Sequence, residues 1–300
     1  MKVLKKGVMI TVAGISAIGL LTGCTQQKIT AKLTESVLFT DALNIIKDNN
    51  YFGIDGDFDL GIKMDASALS FNINTEGKFF VEGDVENELI HSKTDADINT
   101  FGLSQNLNVE NYTLREDGKT IIYKAQSVTG QKDENWSYTI TEAGDKPWKD
   151  LIEKIDLKND DFKAGLEKAI TDLTLERETK TIDNKECYVV SGIMQIDKET
   201  LETLTSGNAS LSEVEALDID SVWYFTKDSH ELKRAELNPG SSVKNIKFMK
   251  NEVNCIPEKI KINMDFSFEK DLYISIPEDI KQNSKESVDS ENAIDLMMQM

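Results

Sequence analysis

The sequence predicts an α+β fold built on a strongly curved antiparallel sheet, an unclosed β-barrel, wrapped over amphipathic helices. Three observations carry that expectation. Apolar and polar residues alternate over several separate stretches; most of those stretches follow one another with no helix between; and two to four amphipathic segments offer apolar stripes to cover the sheet. The composition agrees, because 39% hydrophobic and 29% charged residues over 300 positions describe a globular chain. A formal charge of -19 repels polyphosphate, which excludes nucleic acid as a partner. Three cysteines and two histidines without a CxxC pair cannot make a four-ligand zinc site unaided by carboxylates, so no metal or other cofactor is expected.

The N-terminus has its own pattern. Lys2, Lys5 and Lys6 precede an apolar run over 7–21, followed by Leu21-Thr22-Gly23-Cys24 and the polar Thr25-Gln26-Gln27. This is the layout of a secretory signal. As a helix the run would span about 22 Å, short of the ~30 Å hydrocarbon core, so a permanent membrane-spanning anchor is not expected. Leu-Thr-Gly-Cys resembles the bacterial lipobox, and the resemblance implies a diacylglycerol thioether on Cys24 and cleavage before it. The chain then divides into a signal at 1–23, a lipidated polar tether at 24–30, one domain at 31–280 and a flexible polar tail at 281–300. Loss of the three lysines makes the mature chain more acidic still. Two acyl chains would hold it on the extracytoplasmic face of a membrane.

Within the domain, Leu38, Ala42, Ile45 and Ile46 place one apolar stripe on a helix over 32–48, which Asp48-Asn49-Asn50 stops. Alternation with a period of two follows. Phe58, Leu60, Ile62 and Met64 form one set, Leu69, Phe71 and Ile73 a second, Leu103, Leu107 and Val109 a third, and Trp136, Tyr138 and Ile140 a fourth. Pro147 and then Trp148, Leu151, Ile152 and Ile155 predict a helix, and Phe162, Leu166, Ala169, Ile170 and Leu173 predict another. Strands resume at Cys187-Tyr188-Val189-Val190, a helical patch occupies 197–217, and Val222-Trp223-Tyr224-Phe225 leads to a turn at 227–230. The chain closes on Ile260, Ile262, Met264, Phe266 and Phe268, then Leu272, Ile274 and Ile276, with Pro277 ending the last strand.

Asp183-Asn184-Lys185-Glu186-Cys187-Tyr188-Val189-Val190, Trp223-Tyr224-Phe225-Thr226-Lys227-Asp228 and Ile274-Ser275-Ile276-Pro277-Glu278, taken with the lipobox, resemble bacterial lipoproteins of the LolA/LppX-like type. The resemblance implies an unclosed β-barrel with helices in its concavity and an apolar cavity that in some members carries lipid or acylated protein.

Signals for catalysis are weak. Asp55-Gly56-Asp57-Phe58-Asp59 begins like a calcium loop, but Leu60 and Ala66 stand where such a loop needs Gly and Glu, so a turn leading into a strand is the better reading. Ser241-Ser242-Val243-Lys244 and Ser206-Gly207-Asn208 occur in the wrong order for a penicillin-binding site and without Lys-Thr-Gly. His91 and His230 read as surface histidines, since no Gly-x-Ser-x-Gly accompanies them. Cys187 and Cys255 sit in apolar strand patterns and are expected to be reduced and buried. The candidate ligand surface is the apolar lining Phe58, Leu60, Ile62, Met64, Phe71, Met264, Phe266 and Phe268, residues that core packing would also explain. The expected function is binding of an apolar or lipid-like ligand without catalysis. The alternative is a ligand-free structural or interaction lipoprotein whose acidic face meets an envelope protein. A solute-binding protein of a transporter ranks lower, because such proteins alternate strands and helices.

Overall fold

Helix α1 (Glu35–Asp48) begins at Thr34, whose extended backbone and hydroxyl cap it: Oγ1 accepts from the Val37 N–H at 3.4 Å. Glu35 in the first turn and Lys47 in the last complement the helix dipole. Asn49 ends it by donating both its backbone N–H and its side-chain amide to the Ile45 carbonyl. The computed structural model describes residues 33–66, 69–128, 136–142, 160–197, 216–238, 246–248, 253–268 and 274–286. Cys24, the helix expected at 148–155, most of the patch at 197–217 and the serines at 206, 241 and 242 lie outside them.

After α1 come β1 (Tyr51–Ala66), β2 (Leu69–Asp84), β3 (Leu89–Thr100), β4 (Leu103–Glu116), β5 (Lys119–Val128) and β6 (Ser137–Glu142), a meander in which each strand pairs with the next. Then follow α2 (Asp160–Ala169), β7 (Asp172–Leu175), β8 (Lys180–Ile182), β9 (Lys185–Asp197), β10 (Ala216–Thr226), β11 (Leu232–Asn238), β12 (Ile246–Phe248) and β13 (Val253–Ser267). The chain ends its described course in α3 (Glu278–Asn283) and β14 (Lys285–Glu286). All of these strands form one sheet, in the order β14-β6-β5-β4-β3-β2-β1-β13-β11-β10-β9-β7, with β12 added to β13 and β8 to β9. Pairing is antiparallel except between β14 and β6, and β7 and β14 do not meet, so the sheet is mixed and open.

The sheet curls around α1. Leu38, Phe39, Ala42 and Leu43 of the helix share one buried cluster with Ile54, Phe79, Ala96, Val190, Trp223, Ala235 and Met264, drawn from strands on both sides of the β1–β13 pair. A flat sheet from β3 to β9 would be roughly 30 Å wide at 4.8 Å per strand, far more than one helix covers, so a shared core requires curvature. Phe39 fixes the contact edge-on to Trp223 and Phe225, with ring centroids 5.4 and 4.9 Å away. Arg234 and Asp265 tie β11 to β13 by a bidentate pair at 2.6 and 3.0 Å.

Several expectations change. The fold is mostly β, and the described helices are short; α1, with Leu166 of α2, lies in the concavity, so the α+β description holds only in part. The stripe 162–173 divides, because Thr171 donates its hydroxyl to the Glu167 carbonyl at 2.6 Å and the chain turns there into β7, leaving Leu173 on a strand. At the two ends of the patch 197–217, Asp197 closes β9 and Ala216-Leu217 open β10. Ile274 and Ile276 are buried but belong to no strand; with Ile280 of α3 they cover Leu89 and Tyr112 on the face of the sheet opposite α1. An extended strap has the same side-chain period as a strand, which is why the alternation reads alike. Helix α3 runs on through the exposed residues 281–283, and Lys285 donates its N–H to the Trp136 carbonyl at 3.2 Å.

Candidate functional site

The pairing register puts the expected lining residues on one face. Ile54 lies opposite Phe266, Gly56 opposite Met264, Phe58 opposite Ile262 and Leu60 opposite Ile260, all facing α1. Phe58, Leu60, Met264 and Phe266 are buried in the core there. Phe268, just past the end of β13, packs half-buried at the core margin. Further along β1 the cover thins. Ile62 and its partner Ile73 are half-buried, and the Met64 backbone lies opposite Phe71. Phe71 is half-buried against Phe101, ring centroids 4.6 Å apart. At the β3–β4 hairpin, Phe101 and Leu103 are 67% and 66% exposed. The apolar face therefore grades from closed core to open surface along the strands.

The opposite face carries charge. A shallow cavity of about 430 Å³ opens over β13, β1, β2 and β3, lined by Asp55, Asp57, Asp265, Lys78, Lys93 and Asp95 with Phe80. Asp57 accepts from Asn263 at 2.8 Å. Burial, then Asp265 and Glu82, pushes the Asp55 carboxyl above its ordinary range. Beside the cavity His91 is held between two carboxylates, Nδ1 at 2.9 Å from Glu82 and Nε2 at 2.9 Å from Glu110. Lys93 lies 3.4 Å from the other Glu110 oxygen. Ionised carboxylates only accept, so the ring nitrogens are the groups that can donate to them, one facing each carboxylate. Its plane stacks on Tyr112 at 4.2 Å with 2° between planes. Burial first, then Glu110, Glu82 and Asp279, pushes the Tyr112 phenol up to about 12. Both imidazole nitrogens are thus committed to joining β2, β3 and β4.

From the sequence alone His91 reads as a surface histidine; the structure places it between two carboxylates. The signal was a matter of register: with a turn at 85–88, Glu82 falls directly across from His91, and Glu110 lies one row over on β4. His230 is likewise engaged, Nδ1 at 2.6 Å from Asp41, which clamps α1 to the turn before β11. Cys187 is a free, buried thiol, and burial pushes its pKa up. Its strand β9 and the Cys255 strand β13 are separated by β10 and β11, roughly 14 Å at 4.8 Å per strand, beyond disulfide reach. The Asp55-Gly56-Asp57 sequence lies inside β1. Among the described residues no group of three or more His, Cys, Asp or Glu could hold a metal ion, and no helix is long and apolar enough to cross a membrane.

No protein-family profile matches this chain, and no curated protein does. Among solved structures it is similar to a DUF1329 family protein from Desulfovibrio piger at 12% identity and a TM-score of 0.20, over 78% of this chain and 92% of that one. It is also similar to a beta-barrel-like protein of the domain of unknown function DUF1849 from Brucella abortus, at 8% identity and a TM-score of 0.23, over 71% of this chain and 98% of that one.

Proposed function

We propose that this chain is a membrane-tethered extracytoplasmic lipoprotein of LolA/LppX-like form that binds an apolar, lipid-like ligand on the inner face of its open sheet, without catalysis. The observation that carries the reading is the gradient along that face, from core at Phe58 and Met264 to open surface at Phe101 and Leu103. An apolar strip continuous with a core but left uncovered gives an acyl chain somewhere to lie. Acylation of Cys24 supplies the tether, on the strength of Leu21-Thr22-Gly23-Cys24. The Cys24→Ala chain would lose palmitate incorporation and stay unprocessed; unchanged labelling of that variant rejects the tether.

Binding is tested on the full chain with a fluorescent fatty acid. Saturable binding, weakened at least fivefold by Phe71→Asp, is the expected result. The filled packing around Phe39, Trp223 and Phe266 favours the second reading, a ligand-free interaction lipoprotein meeting an envelope partner through its acidic surface. Absence of any saturable binding by the wild-type chain selects that reading.

A further inference from the structure

We propose that the hairpin end of the sheet is a membrane-contact surface, with Phe101 and Leu103 entering the interfacial layer of a zwitterionic bilayer. The proposal stands independently of acylation at Cys24 and of a ligand on the inner face. Its first observation is exposure: Phe101 and Leu103 project from the β3–β4 turn at 67% and 66% exposure, with the Phe71 ring behind Phe101 at 4.6 Å.

The second is backbone conformation. Phe101 and Gly102 have φ of +52° and +76°, both left-handed. Two-residue turns of this kind favour Asn, Asp and Gly. The comparable turns here follow the rule with Asp117-Gly118 and Asp183-Asn184, whereas at 101 a bulky aromatic occupies a position that disfavours it and points out of the fold.

The third is charge. In a chain with 29% charged residues, stretches 66–75 and 98–109 contain none, and neither does 125–128 of β5; on the other side of β2, β1 brings Lys63 and Asp65 to the same end, so the charge-free band belongs to β2–β5. The register shows that these stretches share one end of the sheet: Ile73 pairs with Thr100, Thr75 with Ile98, Ile98 with Gln105, and Leu107 with Val128. The next row inward pairs Glu76 with Asp97, so on β2 and β3 the charge stops along a line across the strands. From Ile98 to Phe101 is about 10 Å at 3.3 Å per residue, comparable to the ~5–10 Å to which interfacial segments sink. The residues in this band are Asn, Ser, Thr and Gln between apolar ones, side chains that a headgroup layer tolerates and that bring no ion to desolvate. A protein-docking rim would be expected to carry charges that set specificity. An anionic membrane would need lysines or arginines. Across β2–β5 the band provides neither, the nearest charges, Lys63 and Asp65 of β1, are of opposite sign, and a zwitterionic bilayer needs neither.

The test uses two full-length chains, one carrying Leu103→Trp and one Glu116→Trp, the latter at the far end of the same strand. Trp136, Trp148 and Trp223 give both the same background. Each is mixed with phosphatidylcholine vesicles containing brominated acyl chains, which quench only tryptophan that reaches the bilayer. The proposal expects the added quenching at 103 to exceed that at 116 at least twofold, and Phe101→Asn in the Leu103→Trp chain to abolish the excess. Circular dichroism of that double variant shows whether the sheet is intact, and Asn suits the turn. Equal quenching at both positions would overturn the proposal, because recruitment would then come from elsewhere in the chain. So would quenching indifferent to Phe101→Asn in the folded variant, or a shift of the 103 reporter with protein concentration and no vesicles, which would assign the patch to a second copy.

Discussion

His91 and Gly56 show how single side chains hold long strands in register. His91 joins three strands through ring contacts at 2.9 Å to two carboxylates, and a hydrogen bond to a charged group contributes roughly 1.5–3 kcal/mol. His91→Leu leaves Glu82 and Glu110 without their shared donor, so a loss of about 2–3 kcal/mol in urea unfolding is expected. Glu82→Gln, which keeps one carboxylate partner, should lose less; an unchanged midpoint in His91→Leu would show that the cluster is incidental. Gly56 is required for a different reason. A Cβ there would sit 2.3 Å from the Phe79 ring and 2.6 Å from the Asn263 carbonyl oxygen, so the ring and the β13 backbone would both have to move. Gly56→Ala should destabilise by about 1–3 kcal/mol, the usual range for overpacking. Cys187 contributes as a small hydrophobe, and slow maleimide labelling that becomes fast in urea, without a reducing step, checks that it is buried and free.

Among the elements, those whose faces differ in polarity were legible and those alike on both faces were not. The helix expected over 32–48 is α1, because its stripe, its cap and Asn49 all point the same way. β1 and β13 were legible because Phe58, Leu60, Met264 and Phe266 alternate with charged neighbours. β3 was harder to read because its core-side positions include Ser92 and Thr94 while Leu89 faces the strap, so neither face is consistently apolar. The strap formed by Ile274, Ile276 and α3 depends on contacts with Leu89 and Tyr112, distant in sequence, which no local period announces. Its attachment has a pH signature. Tyr112 has its phenol pushed from the ordinary value of 10 up to about 12, so the folded state favours the protonated form. That contribution is complete below pH 10 and is lost as pH rises from 10 to 12. Tyr224, raised to about 12 by burial and its bond to Glu236, acts in the same sense. Stability should therefore fall between pH 10 and 12, less steeply in Tyr112→Phe; a spectrophotometric titration in which all seven tyrosines of the native protein ionise together near pH 10 would count against this.

At the scale of the whole molecule, one sheet has to serve two faces, and its inner face changes role along its length. Sequence alternation identifies which residues share that face but not where the helix covering ends, because coverage depends on where α1 lies across the curled strands. Phe58, Phe71 and Met264 read alike in the sequence, yet in the structure Met264 is 1% exposed opposite Gly56 while Phe71 is half-buried near the open hairpin end. The same substitution should then have opposite consequences at the two positions. Met264→Asp buries an unpaired carboxylate in packed core, which costs several kcal/mol and should unfold the domain or leave the residue protonated. Phe71→Asp can turn its carboxylate to water, so the fold should survive with a loss of about 1–2 kcal/mol from lost apolar contact, while binding of a fluorescent fatty acid weakens. Thermal melts of both variants, read beside the binding isotherm of Phe71→Asp, separate the two roles. If Phe71→Asp unfolds as readily as Met264→Asp, the face is core along its whole length and the ligand-binding reading fails; if Phe71→Asp stays folded and binds as the wild type does, the ligand lies elsewhere.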